Sequence, residues 1–332
     1  MRPTLAATAE SQNGIFVRHQ ALTAGYTRRE FDRMTRGATS PWVRVRYGVY
    51  AVRAPWEALS DDERAILVDE AALLVCDAGT VLSHSSAARR LRLPLYGAQD
   101  GLTHVTRLRT DGRVLSRIQA GIKHHCGCLE ETEIVTADGY LTTDPVRTVL
   151  DMTSEFGYRG GLVVADAALR AGSSKEQLVE RARRCTSLSH APVLRAVAED
   201  ADGRAETPIE TLGRILLVAM GVADLEPQYE IALAEGGKAF VDLFSPRLHH
   251  VFECDGRLKY RDQLDTRGRV MRAEDVLWSE KKREDAIRSQ GFGFSRILWR
   301  DTMVDRFGPA SARLWREIGH QDATRDRSRY GT

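Results

Sequence analysis

Ala239-Phe-Val-Asp-Leu-Phe244 and Arg247-Leu-His-His-Val-Phe-Glu-Cys-Asp-Gly256 are two short runs, rich in β-branched and aromatic residues, that hold three carboxylates in apolar surroundings. Such runs read as strands. Side chains alternate faces along a strand, so Glu253 and Asp255 point one way while Phe252 and Cys254 point the other. Asp242 lies on the neighbouring run, where a tight meander brings it close to Glu253. Acidic residues are disfavoured at strand centres, and here Phe240, Val241, Leu243, Val251 and Phe252 flank them. Two carboxylates at short range repel each other unless a hard divalent cation lies between them. Mg²⁺, or Mn²⁺ in its place, held by Asp242 and Glu253 can lower the pKa of a bound water and stabilise charge on a phosphate under attack. That arrangement suits phosphodiester hydrolysis.

Outward from these runs, Thr207-Pro-Ile-Glu210 opens an apolar helix that closes at Gly221, with Thr207 as N-cap and Pro208 at the first helical position. Pro227 to Leu233 is a strand, and Glu235-Gly-Gly-Lys238 turns the chain into the first quoted run. Apolar residues at helical spacing fill Ala273 to Gly291, and Phe292 to Leu298 is a last strand. The order is helix, three strands, helix, strand. Glu210 has two readings: one half of a capping box with Thr207, or a further acid of the site.

These residues resemble the PD-(D/E)XK nuclease superfamily, in the branch similar to very-short-patch-repair and restriction-type endonucleases, over roughly the last third of the chain. The resemblance implies a catalytic set of Glu210 from the first helix, Asp242 from the second strand, and Glu253 as the first acid of the E-x-K element. Asp255 stands where that element carries lysine. The branch often shows E-x-D-G followed by a basic residue, so Lys259, or Lys281 or Lys282 on the next helix, is the expected substitute.

Upstream, Val17 to Ala24 reads as a helix, Gly25 as a turn, and Thr27 as the cap of a second helix carrying Arg28, Arg29 and Arg33. Trp42 to Val52 alternates like a two-stranded wing bent at Gly48, with Arg44 and Arg46 on it. Between Met1 and Tyr50 eight arginines face three acids, a net charge of +5. A winged helix-turn-helix so charged suits the phosphate backbone of double-stranded DNA, with Arg28, Arg29, Arg33, Arg44 and Arg46 as contacts. This segment resembles the AbiEi-type antitoxin winged helix of toxin-antitoxin and phage-defence loci, and Thr143-Asp-Pro-Val-Arg-Thr-Val-Leu-Asp151 is similar to the C-terminal portion of such proteins.

The fold expected is therefore multidomain α/β: a winged helix-turn-helix over 1–53, an α+β connector domain over 54–202, a PD-(D/E)XK αβββαβ core over 203–320, and a disordered tail over 321–332. In the connector, strands are expected around Thr103 to Leu108, Ile118 to His125 and Ile134 to Leu141. Arg107, Arg109, Arg113 and Arg117 extend its basic face or line a solvated hairpin. His84, His104 and His124 read as structural histidines, and His124-His-Cys-Gly-Cys128 lacks the second ligand pair of a structural zinc site.

Formal net charge is only +2 over 332 residues, so the distribution of charge says more about partners than its sum. The start of the chain shows no secretory signal, and no apolar run reaches the length of a membrane helix. Five scattered cysteines fit reduced thiols and a cytoplasmic protein. The expected activity is metal-dependent DNA cleavage directed by the winged helix, with homodimerisation compatible with it. The alternative is an antitoxin-like DNA-binding repressor whose nuclease-like domain has lost its lysine.

Overall fold

Phe16, Phe31 and Trp42 are buried together, Trp42 meeting Phe16 edge to face at 4.9 Å between ring centroids and Phe31 at 5.8 Å. The first elements of the chain are built around this aromatic cluster in the computed structural model, which describes all residues except 99, 109–115, 128, 186–189, 235, 257–272 and 330–332. They are α1 (Pro3–Glu10), β1 (Ile15–Val17), α2 (Arg18–Thr23), α3 (Arg28–Thr35), β2 (Trp42–Arg46) and β3 (Val49–Val52). Thr27 caps α3: its hydroxyl accepts from the Glu30 N–H, and the Glu30 carboxylate accepts from the Thr27 N–H. The three strands form an antiparallel sheet in the order β1-β3-β2.

The other face of that sheet belongs to a second core. Ile15, Val17, Val49 and Ala51 pack against Leu67 and Ala71 of α5 (Asp61–Leu73). Residues 1–53 therefore share apolar contacts with the segment that follows, and both fall in one compact unit, Met1–Ala168 with Ser173–Asp200. Its remaining elements are α4 (Arg53–Ala58), β4 (Val81–Leu82), α6 (His84–Arg90), β5 (Thr103–Leu108), β6 (Arg117–Gln119), β7 (Ile122–Gly127), β8 (Ile134–Ala137) and β9 (Tyr140–Thr143). Three helices complete it: α7 (Pro145–Arg170), α8 (Lys175–Arg184) and α9 (Ala191–Asp200), with α7 broken at Gly157, where φ is 73°. The strands make a mixed sheet in the order β6-β7-β5-β4-β9-β8, in which β5/β7 and β4/β9 are parallel. Two of the strands expected here are hairpins. Ala120-Gly121 (φ 49° and 76°) turns β6 into β7, and Asp138-Gly139 (φ 47° and 83°) turns β8 into β9. Paired left-handed residues match the twist of the strands they join.

The second unit comprises Leu169–Gly172 and Ala201–Thr332. It holds α10 (Pro208–Ala219), β10 (Glu226–Ala232), β11 (Lys238–Ser245), β12 (His250–Asp255), α11 (Ala273–Ser289), β13 (Gly293–Leu298) and α12 (Phe307–Arg329). The sheet order is β10-β11-β12-β13, antiparallel except that β13 runs parallel to β12. Both faces are covered. Leu243, Phe252 and Cys254 pack with Leu216 and Leu217 of α10 and Leu314 of α12, while Val241, Val251 and Phe294 pack with Ile287 of α11. Each such burial contributes roughly 1.5–3 kcal/mol.

Gly213 lets α10 approach β12 closely: a Cβ there would lie 2.9 Å from Cys254 Sγ. α12 continues to Arg329, through most of the polar segment expected to lack structure; no glycine or proline interrupts it between Gly319 and Arg329. Among the described residues no helix is long and apolar enough to cross a membrane.

Candidate active site

A single transverse row crosses the sheet of the second unit. Glu253 on β12 is registered with Arg296 on β13. The β11–β12 register, with Leu243 opposite Phe252, continues to Asp242 opposite Glu253. The β10–β11 register, with Pro227 opposite Leu243 and Tyr229 opposite Val241, brings Gln228 opposite Asp242. The row is Gln228, Asp242, Glu253, Arg296. Regular pairing stops at its inner positions, where Gln228 takes a left-handed φ of 52° inside β10 and Asp242 Oδ2 accepts from the Cys254 N–H at 2.7 Å. A non-glycine residue held in that conformation within a strand is strained, and such strain gathers at sites.

Each expected residue has a definite place. Asp242 is 7% exposed and Glu253 9%, on adjacent strands. Glu253 Oε2 accepts an ion-pair contact from Arg283 of α11 at 3.2 Å, and the same guanidinium donates to the Phe240 carbonyl at 2.8 Å. Glu253 Oε1 is buried with no hydrogen-bond partner among the described residues. A carboxylate oxygen in that position costs about 1–3 kcal/mol unless something occupies it.

Glu210 is buried and fully engaged. Its Oε1 accepts from Thr207 Oγ1 at 2.7 Å, and its Oε2 accepts from the Glu206 N–H at 2.8 Å and from Gln228 Nε2 at 2.9 Å. Thr207 stands at the N-cap but makes no side-chain cap bond to the helix backbone, so the expected capping box is not formed; instead the Gln228 bond ties the helix terminus to the row.

Asp255 lies further along β12, half-buried at the edge of a cavity of about 950 Å³, where Thr207, Trp299, Arg300 and Arg306 are among its neighbours. Among the described residues, Glu210, Asp242, Glu253 and Asp255 supply no group of three whose ligand atoms all lie within 4.8 Å. The acids therefore form a pair on adjacent strands with two outliers, not a single cluster.

Of the candidate lysines, Lys259 lies outside the described residues. Lys282 is exposed, its Nζ 5.4 Å from the Trp278 ring centroid, and Lys281 is exposed too. Successive helix residues point about 100° apart, and Arg283, next to Lys282, reaches Glu253.

In the first unit, Arg28, Arg29 and Arg33 on α3 and Arg44 on β2 are exposed. Arg46 is not available as a contact. The β2–β3 register shifts between Arg44 and Arg46, and this bulge turns Arg46 inward to 9% exposure, where it donates to the Ala120 carbonyl at 2.8 Å. Arg107 pairs with Asp77, and Arg109 and Arg113 lie outside the described residues.

Of the three histidines read as structural, His84 and His104 gather in one place, and the third member of that group is His125 and not His124. Strand alternation puts neighbouring His124 on the opposite face of β7.

Gln228, Arg283 and His125 escape a reading of the sequence. The left-handed backbone at Gln228 leaves no mark in its residue type, and Arg283 is one cation in a mixed-charge run. The adjacency of His104 and His125 follows only from the parallel pairing of β5 with β7.

No protein-family model and no curated protein matches the chain. Among solved structures, the crystal structure of RV2827C protein from Mycobacterium tuberculosis is similar over 69% of this chain and 87% of that one, at 16% identity and a TM-score of 0.37, a likeness too low to carry any inference.

Proposed function

We propose that the protein is a metal-dependent DNA endonuclease of PD-(D/E)XK type, whose first unit contributes DNA contacts through Arg28, Arg29, Arg33 and Arg44. The observation that carries this reading is the buried Glu253 Oε1 beside Asp242, which has no hydrogen-bond partner among the described residues, at the place where regular strand pairing stops. Hard carboxylate oxygens suit Mg²⁺ or Mn²⁺. Asp242 and Glu253 would hold the ion, which when bound lowers the pKa of a water and stabilises charge on the phosphate.

The chain's own groups have separate tasks in this reading. Gln228 and Thr207 hold Glu210, and Glu210 in turn fixes α10 against the row. Arg283 supplies fixed positive charge where a lysine is expected. A guanidinium stays protonated, so it can orient a phosphate oxygen but cannot serve as the base. Arg300 and Arg306, beside the cavity at Asp255, offer phosphate contacts.

A second reading is a DNA-binding regulator with no chemistry. The Glu253–Arg283 ion pair favours it, because the guanidinium already compensates the carboxylate that would bind a cation. Cleavage of plasmid and linear DNA by the wild type in Mg²⁺ or Mn²⁺, beside Glu253→Ala at matched DNA binding, separates the two. The nuclease reading expects metal-dependent cutting reduced by at least about a hundredfold in the variant. Tight binding with no cutting in either metal establishes the regulator.

A further inference from the structure

Three imidazoles from distant parts of the chain converge in the first unit. His84 opens α6 directly after β4, His104 sits on β5, and His125 sits on β7, the parallel neighbour of β5. Each offers a ring nitrogen, and these nitrogens all lie within 4.8 Å of one another. His104 and His84 are buried, with side-chain exposures of 0% and 8%. The His84 backbone is left-handed, with φ at 51°, a conformation that costs free energy for a residue with a side chain.

The outer nitrogens are dressed as those of metal ligands are. His104 Nε2 lies 2.8 Å from Asp100 Oδ2, so Nε2–H donates to the carboxylate and leaves Nδ1 bare. His104 Nδ1 is 3.0 Å from His125 Nε2, and the bare nitrogen accepts that hydrogen bond. His84 Nδ1 contacts Ser83 Oγ at 3.0 Å and lies 3.8 Å from Asp151 Oδ2, which leaves its Nε2 as the nitrogen without a polar neighbour in those contacts. A carboxylate behind the second nitrogen orients a ligating imidazole and raises its basicity. Burial holds all three rings below their ordinary values, His125 at about 3, so they are neutral at pH 7 with lone pairs available. The nearby cations are already matched: Lys123 pairs with Glu155, and Arg147 pairs with Asp151 and Glu133.

We propose that His84, His104 and His125 form a binding site for a borderline divalent transition metal of the Zn²⁺ class, distinct from the acidic row of the second unit. All-imidazole donors select Zn²⁺, Co²⁺ or Ni²⁺ over Mg²⁺ and Mn²⁺, which prefer oxygen. Two nitrogens bound to one tetrahedral ion at 2.0–2.1 Å stand about 3.3 Å apart, close to the 3.0 Å between His104 and His125. Coordination moves the His125 proton from Nε2 to Nδ1, so no net proton is released at that ring. It also requires the stacked rings of His84 and His125, 3.6 Å between centroids, to fan apart until their nitrogens converge. The ion ties the start of α6 to β5 and β7, and a fourth coordination position stays open to water.

The test is Zn²⁺ titration of the full chain in competition with a chromophoric chelator, with Co²⁺ absorption as a second readout of ligand geometry. Wild type and Glu253→Ala are expected to take up one Zn²⁺ per chain, to gain thermal stability with Zn²⁺ to the same extent, and to give the intense visible bands of four-coordinate Co²⁺. His84→Gln and His125→Gln, checked for unchanged far-ultraviolet circular dichroism, should lose both signals. Asp100→Asn leaves all three ligands in place and should weaken binding about ten- to a hundredfold. Failure of the wild type to compete with the chelator overturns the site. So does uptake that is equally tight in both glutamine variants, which would assign the ion to other ligands, the cysteines among them.

Discussion

Arg283 joins two elements through one guanidinium, and its removal has a defined cost. Arg283→Ala leaves Glu253 as a buried carboxylate with neither oxygen compensated among the described residues. Arg283 is itself partly exposed, so solvent offsets part of the loss, and about 1–3 kcal/mol of destabilisation is expected. If Asp242 and Glu253 bind a cation, millimolar Mg²⁺ should recover more of the melting temperature in Arg283→Ala than it adds to the wild type. Equal Mg²⁺ effects on both proteins would count against cation binding by the pair. His250 makes a second residue-level prediction. Burial, assisted by Arg288, holds it at about 4 against an ordinary 6.5, and its Nε2 lies 2.9 Å from Ser295 Oγ. The unfolded chain takes up this proton near pH 6.5 and the folded chain only near pH 4. The contribution of neutral His250 is therefore complete above about pH 6.5 and is lost as pH falls toward 4, up to about 3 kcal/mol in all. A melting-temperature profile of His250→Gln should be flatter than that of the wild type across that window; parallel profiles would show that His250 is not the group responsible.

At the scale of elements, the contact between α10 and β12 rests on a missing side chain. Gly213→Ala places a methyl 2.9 Å from Cys254 Sγ and 3.4 Å from Ile297 Cδ1, so helix and strand must separate. A loss of about 1–3 kcal/mol is expected in urea unfolding. Gly213→Ala with Cys254→Ala should cost less than the sum of the single variants, and strict additivity would mean that the two positions do not press on each other. This scale is also where the sequence is most readable. The runs from Pro208 to Leu298 announce helix, strands, helix and strand because β-branched and aromatic segments are bounded by glycine, and because the helical segments keep an apolar stripe. The turn at Ala120-Gly121 is less visible, since alanine is no signal for a left-handed residue, and Asp138-Gly139 lay inside a run that otherwise alternates well. The site is legible only in part for the same reason. Asp242 and Glu253 stand out as acids amid apolar strand residues, whereas Gln228 and the three histidines acquire neighbours only through pairing that no local pattern encodes.

At the scale of the whole molecule, the first unit exposes Arg28, Arg29 and Arg33 on α3 and Arg44 on β2, while Arg46 at the end of β2 is sequestered. Arg28→Ala, Arg29→Ala and Arg33→Ala should each weaken duplex binding almost uniformly across sequences and reduce the slope of log affinity against log salt by about one. Arg46→Ala should instead lower thermal stability and leave the salt slope unchanged. A large loss of slope on replacing Arg46 would mean that the bulge does not hold it inward in solution.

The apolar seam between β1, β3 and α5 bears on how such a chain can be rearranged. A terminal segment that ends in a polar linker can be exchanged between genes as a cassette. Here, cutting near residue 53 would strip Leu67 and Ala71 of their cover and leave the arginine-bearing segment with an open hydrophobic flank. Recombination between relatives is therefore expected to keep the first unit together, and truncated forms that start in α4 are expected to aggregate, not to fold as smaller domains.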